Sequence, residues 1–384
     1  MNYTLRDYQQ EASDAGESFF KSYKGKNAII VLPTGSGKSL VIAEIASRLS
    51  EPTLVFQPSK EILEQNFTKL CSYGVTDCSI YSASMNRKHI NRITFATIGS
   101  AINNKEQFSH FKNIIIDECH FVNAKQGMYL EFLEQIKVPA LGLTATPYRL
   151  SSTSFGSILK FLTRTRPRVF KDVIYHCQIQ TLLDRGYLAK MEYYQIRAIK
   201  SQNLILNSTK ADYTDKSVKE EYKRAGFENK VLGIIERLIR AGRENILVFT
   251  RFVEEAQFIV DNLLGLGEIV TAQTPKKERE RIISEFKSGE IRVVANVGIL
   301  TTGFDYPELS TVVLARPTMS LTLYYQMIGR AIRPHENKPC SWVIDMCENY
   351  DRFGKVEELQ LIQDKPGIWY IRNKSKQLTN VFYN

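Results

Sequence analysis

The sequence contains no apolar run near the roughly 20 residues that a membrane-spanning helix requires. Nothing in it therefore reads as a helical membrane anchor, and no membrane partner is expected. The first fifteen residues, MNYTLRDYQQEASDA, hold acids and no apolar stretch, so they do not read as a secretory leader. The six cysteines (Cys71, Cys78, Cys119, Cys177, Cys340, Cys347) are scattered and form no C-x-x-C pair. That speaks against a zinc module and for free thiols in a reducing cytoplasm. There is no low-complexity segment and no short-period repeat. Acids are in deficit, 41 against 51 Lys and Arg, and the net charge of +10 favours a polyanionic partner.

What is present is a chain of 384 residues with 43% hydrophobic and 24% charged content, enough for two ordinary domains with full cores. Short apolar runs alternate with helical spacing. NAIIVL (27–32), TLVFQ (53–57), ITFAT (93–97), IIID (114–117) and ALGLT (140–144) read as strands buried on both faces. Between them, KEILEQNFTKLCSYG places Ile62, Leu63, Phe67 and Leu70 at helical spacing. The alternation blurs from about residue 150 to 243. It resumes with NILVFT (245–250), IRVVAN (291–296), TVVLAR (311–316) and SWVIDM (341–346). Strand–helix alternation predicts parallel sheets flanked by helices. The expected organisation is one α/β unit over 1–165 and a second over 166–350. The polar stretch near 200–230 reads as a linker or insertion. A C-terminal extension occupies 351–384, its aromatic pairs reading as a hairpin packed on the second unit.

Two stretches carry chemistry. In LPTGSGKS (32–39) a strand runs into Pro33, Thr34, Gly35, Ser36 and Gly37 and then a helix. Gly35 and Gly37 let backbone N–H groups turn inward without a Cβ clash, and those amides with the helix N-terminus cradle phosphate. Lys38 reaches the β/γ-phosphates and Ser39 offers a hydroxyl to Mg²⁺. Leu32 stands where the motif ordinarily has its first glycine. In KNIIIDECHFV (112–122) a strand ends in two adjacent acids. Alone, Asp117 and Glu118 would read equally well as helix caps. Beside a phosphate loop, Asp117 reads as the ligand of Mg²⁺ and Glu118 as the group that orients or deprotonates the attacking water. No second Cys/His pair lies near Cys119 and His120, so these read as packing and relay residues.

LPTGSGKS, DECH and TAT, followed by ILTTGFD and QMIGRAIR, stand in the order of the superfamily 2 helicases. The chain resembles that superfamily over residues 3–346. LRDYQQEA, LPTGSGKSLVIAE, GLTATPYRL, LTTGFDYP and TLYYQMIGRAIRP make it most similar to the bacterial RadD-type helicases and the helicase parts of type III restriction enzymes. RadD-type proteins also carry a cysteine-rich zinc region, which these cysteines do not supply. The resemblance implies two tandem RecA-like domains using ATP and Mg²⁺. It implies that Arg6 and Gln9 read adenine, and that Gly303 and Asp305 line the nucleotide site at the ribose. His120, Thr144 and Thr146 would couple hydrolysis to motion. Gln326, Arg330 and Arg333, expected on one face of one helix, would serve the transferring phosphoryl group alongside Lys38, Asp117 and Glu118. Pro58, Ser59, Thr97, Gly99, Ser100, Arg251, Thr301 and Thr302 would contact a nucleic-acid backbone without reading bases.

The sequence is therefore identified as that of an ATP-dependent helicase or translocase, with DNA favoured over RNA on resemblance alone. It is expected to be a monomeric motor in replication, recombination or repair. The alternative is an ATP-gated nucleic-acid clamp, or the motor subunit of a restriction or repair complex whose protein partner supplies targeting or nuclease activity.

Overall fold

A computed structural model describes residues 4–23, 25–153, 156–300, 306–374 and 376–382. The chain forms two compact units. The first comprises residues up to 151 with 159–178 and 360–381. The second comprises 152–158 and 179–359 with the last three residues.

The first unit is built on eight strands: β1 (Ala28–Val31), β2 (Thr53–Phe56), β3 (Cys78–Ser82), β4 (Arg87–Lys88), β5 (Ile93–Ala96), β6 (Asn113–Asp117), β7 (Ala140–Thr144) and, after the separate two-stranded sheet of β8 (Tyr148–Thr153) and β9 (Gly156–Phe161), β10 (Asp172–His176). Their order is β10-β1-β7-β6-β2-β5-β3-β4. All neighbours are parallel except β3 and β4. β1, β2, β5, β6 and β7 are buried throughout, which is why they read as unbroken apolar runs. In the register of this sheet Val31 pairs with Thr144, and Leu143 with Asp117. The phosphate loop, the Asp-Glu turn and the TAT turn thus leave adjacent strands at one sheet edge. Helices α1 (Asp7–Lys21), α2 (Lys38–Arg48), α3 (Lys60–Ser72), α4 (Ile98–Ala101) and α5 (Met128–Ile136) belong to this unit.

The second unit holds β11 (Met191–Gln195), β12 (Ile246–Thr250), β13 (Gly267–Thr271), β14 (Val293–Val297), β15 (Thr311–Ala315) and β16 (Ser341–Asp345). They form one parallel sheet in the order β11-β16-β15-β12-β14-β13. Its helices are α6 (Ile179–Asp184), α7 (Asp215–Ala225), α8 (Phe227–Arg240), α9 (Val253–Asp261), α10 (Lys276–Ser288), α11 (Leu321–Ile328) and α12 (Asn349–Phe353).

Three expectations about organisation change. The stretch near 200–230 is not a linker. Thr214 caps α7 by accepting from Ser217 N, and Tyr213, Val218, Tyr222 and Phe227 pack into the same core as Ile246 and Val313. The first unit runs past residue 165, because β10 hydrogen-bonds to β1. The C-terminal strands β17 (Leu359–Lys365), β18 (Ile368–Asn373) and β19 (Lys376–Gln377) form their own small sheet, and residues 360–381 group with the first unit, not the second. Trp369 shows why: it is buried, its Nε1 donates to Asp172 Oδ1 at 2.8 Å, and its ring meets His176 on β10.

Candidate active site

Leu32 to Gly37 lie between β1 and α2, and Lys38 and Ser39 open the helix. Leu32 is fully buried and its N–H donates to Thr144 O. It extends the strand pairing by one residue, so the missing glycine leaves the loop itself intact. Gly37 sits at φ +80° as the residue before α2, and a Cβ there would lie 2.6 Å from Gln9 Nε2. Both the backbone and the close approach require glycine.

Gln9 has a task that the resemblance did not suggest. It is 4% exposed, and its amide is spent inside the protein. Nε2 donates to Ser36 O at 2.8 Å and to Tyr8 Oη at 3.3 Å, while Oε1 accepts from Arg6 N at 2.9 Å. Tyr8 Oη also donates to Ser36 O, at 2.7 Å. Arg6, the residue before α1, starts the helix whose first turn braces the loop. Gln9 therefore acts in this geometry as a strut under the phosphate loop, with Tyr8 beside it. Sequence reasoning missed Tyr8.

Asp117 ends β6, and Glu118 comes next at φ +49°, ψ +51°. A left-handed non-glycine residue costs about 1–2 kcal/mol and is held only where its surroundings impose it. The strain turns Glu118 toward Lys38, whose Nζ lies 3.4 Å from Glu118 Oε1. Thr144 Oγ1 donates to Glu118 Oε2 at 3.2 Å. With that proton committed, Thr144 Oγ1 accepts from His120 Nδ1 at 2.9 Å and from Thr146 N at 3.1 Å. His120 Nδ1 is also 3.2 Å from Glu118 Oε2 and from Thr146 Oγ1. The three residues assigned to coupling thus form one network with Glu118. Cys119 is fully buried against Gly142 of β7, where a Cβ would lie 2.6 Å from its Sγ.

Asp117 is 5% exposed. Burial pushes its carboxyl up to about 7, with the neighbouring Glu118 charge adding to the rise. Burial acts in the same sense on Glu118. There the Lys38 ammonium and the His120 hydrogen bond prevail and hold the carboxyl well below the usual carboxylate range. Asn66 donates to Asp117 Oδ2 at 3.3 Å and to Gln57 Oε1 at 2.9 Å. It lies on the buried stripe of α3 with Leu63 and Leu70. A polar residue on an apolar stripe is the sequence signal that could have found it.

This site fits a magnesium-bound nucleoside triphosphate. Ser36 Oγ is buried without a hydrogen-bond partner, the loop backbone admits only glycine at Gly37, and Asp117 is a buried carboxyl that a divalent cation would discharge. Ser39, in the first turn of α2, is half-buried. Were Asp117 to hold the cation it would first have to release its proton, so Mg²⁺·ATP affinity should then weaken about tenfold per pH unit below about pH 7. Titration calorimetry in buffers of different ionisation enthalpy should detect a proton release that approaches one at about pH 6 and falls to about half near pH 7. Affinity that stays flat between about pH 5.5 and 7.5 would remove Asp117 from that role.

The other expected residues divide. α11 ends at Ile328 with Gly329 as its cap. Gln326 is on it, but Arg330 lies in the following turn and Arg333 in a bend. The single helical face expected for all three does not form. Short-range bonds from Arg330 N to Met327 O and from Ala331 N to Ile328 O replace the helical ladder there. Arg251, expected on a phosphate track, is held inside its own unit. Its side chain is 9% exposed and meets Asp215 at 2.8 Å, Asp212 at 3.5 Å and Tyr213 O at 2.6 Å. A phosphate would have to displace those acids.

Ser59 caps α3 by accepting from Ile62 N. Thr97 Oγ1 bonds Ser100 Oγ, which in turn accepts from Ala83 N. These hydroxyls are in local use, and what remains for a phosphodiester at Pro58, Gly99 and their neighbours is backbone. Thr301, Thr302, Gly303 and Asp305 lie outside the described residues.

Comparison with known proteins places this geometry. Residues 2–149 match the family described as "Type III restriction enzyme, res subunit", and residues 230–335 match "Helicase conserved C-terminal domain". The chain is 27% identical over 333 residues to a "51.5 kDa protein" of a Lactococcus phage, covering 85% of this chain and 67% of that one. It is 26% identical over 371 residues to the "DNA 3'-5' translocase XPB2" of Sulfurisphaera tokodaii, covering 87% and 80%. The fold matches the "ATP-dependent Type ISP restriction-modification enzyme LlaBIII bound to DNA" with a TM-score of 0.65 at 19% identity, over 89% of this chain and 28% of that one. The chain belongs to superfamily 2 of the helicases, ATP-hydrolysing enzymes with tandem RecA-like domains, and it has restriction-enzyme-like relatives. No helix among the described residues is long and apolar enough to cross a membrane.

Proposed function

We propose that this chain is an ATP-driven DNA translocase in which Lys38 and the loop 32–39 hold the triphosphate, Asp117 and Ser39 hold Mg²⁺, and Glu118 handles the attacking water. The observation that carries the reading is Glu118, strained into the left-handed region, ion-paired with Lys38 and hydrogen-bonded to Thr144. A carboxylate kept ionised beside a phosphate loop suits orienting the attacking water in phosphoryl transfer. Mg²⁺ would supply charge neutralisation on the phosphates. The network through His120, Thr144 and Thr146 carries a change at Glu118 to the TAT turn. Arg330 and Arg333 serve the transferring phosphoryl group, as the helicase resemblance implies.

DNA is proposed because the archaeal relative is named a DNA translocase and the restriction enzyme was solved bound to DNA. The six free cysteines suit the reducing cytoplasm. ATP turnover measured with single-stranded DNA, duplex DNA and RNA tests the reading. DNA should stimulate and RNA should not; stimulation by RNA alone would overturn the DNA assignment. A strand-displacement assay then separates unwinding from translocation.

Backbone contacts carry no base identity, so binding should be indifferent to sequence and steep in salt. With about four to six phosphates neutralised, the log–log slope on duplex DNA should be about −4 to −5. Fluorescence anisotropy across a salt series measures it. A shallow slope with a site-specific footprint would contradict backbone recognition.

A further inference from the structure

Lys338 occupies a place where a lysine is costly. Its side chain is 6% exposed. Its Nζ donates to Pro307 O at 2.6 Å, Leu309 O at 3.0 Å and Ala331 O at 3.0 Å. An ammonium has three N–H donors and no acceptor, so this set uses every donor it has. The carbonyls come from two segments. Pro307 and Leu309 lie between the TTGFD stretch and β15. Ala331 stands between Arg330 and Arg333, past the end of α11. Ala331 O also accepts from Ser341 Oγ at 2.6 Å, and Ile332 O accepts from Ala189 N at 2.7 Å. Because the helix has stopped, the backbone that carries the two arginines depends on bonds of this kind for its position.

We propose that Lys338 is a positioning residue for ATP hydrolysis, its ammonium clamping the turn that carries Arg330 and Arg333 to the backbone just after TTGFD. This rests on the reading of those two arginines as the ones that serve the transferring phosphoryl group. Burial alone would be served better by methionine or leucine. Only a group with at least three donors bonds all three carbonyls at once; removing it takes this donor from the buried Leu309 O, leaves Ala331 O with Ser341 Oγ, and leaves the part-buried Pro307 O to solvent. Displacing a catalytic arginine by about 1 Å can cost on the order of 10²-fold in rate. ATP binding through the loop 32–39 would be spared.

Titration separates positioning from plain stability. Burial pushes Lys338 down to about 8, and the nearby Arg333 charge adds to the fall. Lys338 borders a cavity of about 360 Å³ that Arg243, Glu244, Glu308 and His335 also line, the last two 3.5 Å apart. Between about pH 8 and the ordinary lysine value the unfolded chain binds more protons than the folded one. This group therefore adds stability as pH rises through that window. The clamp needs the charged ammonium and weakens over the same window. Turnover should fall while the contribution of Lys338 to stability rises; a purely structural role would move both together.

The experiment uses the full chain as wild type, Lys338→Met and Lys338→Arg. DNA-stimulated kcat, the Kd of a fluorescent ATP analogue and the melting temperature are measured from about pH 7 to 9.5. Wild-type kcat should fall through about pH 8 with Kd unchanged. Lys338→Met should lose roughly 10- to 100-fold in kcat at pH 7, keep Kd within about threefold, and show no such fall with pH. Lys338→Arg, charged throughout, should recover part of kcat without that fall. Wild-type kcat in Lys338→Met, or a loss of affinity equal to the loss of kcat, would overturn the clamp. If Lys338→Met does not fold, Lys338→Gln, which keeps only two donors, decides: wild-type kcat in that variant overturns the clamp. A wild type without DNA-stimulated turnover would overturn the functional reading itself, and the clamp with it.

Discussion

Glu118→Gln in the full chain should bind ATP about as tightly as the parent protein and hydrolyse it some 10²–10⁴-fold more slowly, the range spanned by a lost general base. The substitution keeps the size and planarity of the side chain. An amide placed with its oxygen toward Lys38 keeps that contact, and its nitrogen then faces Thr144 Oγ1, which accepts it once the His120 bond reverses, the threonine proton turning to Nδ1 of the other imidazole tautomer. The turn at Glu118 is imposed by β6 and the residues after it, so the left-handed backbone should persist. What disappears is the carboxylate that Lys38 and His120 hold ionised. A charge developed only during transfer contributes little to ground-state binding, so the loss should appear in turnover. Blocked before hydrolysis, the variant should also stay longer on DNA. The measurements are single-turnover hydrolysis, fluorescent-nucleotide binding and DNA dissociation on one preparation. An equal loss of ATP affinity would make Glu118 a structural member of the loop instead.

Much of this site was legible because its chemistry and its strand ends coincide. β1, β6 and β7 are buried on both faces, so each reads as an apolar run whose last residue marks the sheet edge. Lys38, Asp117, Glu118 and Thr144 are located by those strand ends. Edge and near-edge strands were not legible. β3, β10, β11 and β13 have solvent on part of their surface, and sequences such as MEYYQ alternate instead of running apolar. Gln9 could be located but not interpreted, since no pattern in LRDYQ distinguishes an amide that reads a ligand from one that bonds Ser36 O. Arg330 and Arg333 fit a helical spacing that Gly329 ends. Arg251 illustrates the remaining difficulty: its partners Asp212 and Asp215 lie in the polar stretch that looked like a linker. Its burial became visible only once Tyr213, Val218 and Tyr222 had folded that stretch onto the core.

Lys38→Ala should lose both functions that Glu118→Gln separates. Alanine sustains the first turn of α2 as well as lysine does, so a general loss of fold is not expected. The ammonium would meet the phosphates in the ground state and more strongly as charge develops, so ATP affinity should weaken and turnover should fall further, by about 10³-fold or more. The structure adds a second consequence. Lys38 is the foremost influence holding the Glu118 carboxyl down against its burial. Without it that carboxyl should rise, and a protonated Glu118 cannot accept a proton from water. Residual turnover should therefore climb with pH across a range where the parent is already level. Only the acid limb should move, because the side chain left behind carries no titrating group. The decisive measurement is the pH profile of residual ATPase in Lys38→Ala, set beside nucleotide affinity and compared with Glu118→Gln, whose residual rate should lack that limb. Full stimulated turnover in folded Lys38→Ala would end the nucleotide assignment. A reduced rate whose acid limb stays where the parent has it would instead show that Lys38 serves the phosphates alone and that the 3.4 Å contact with Glu118 does not set its charge.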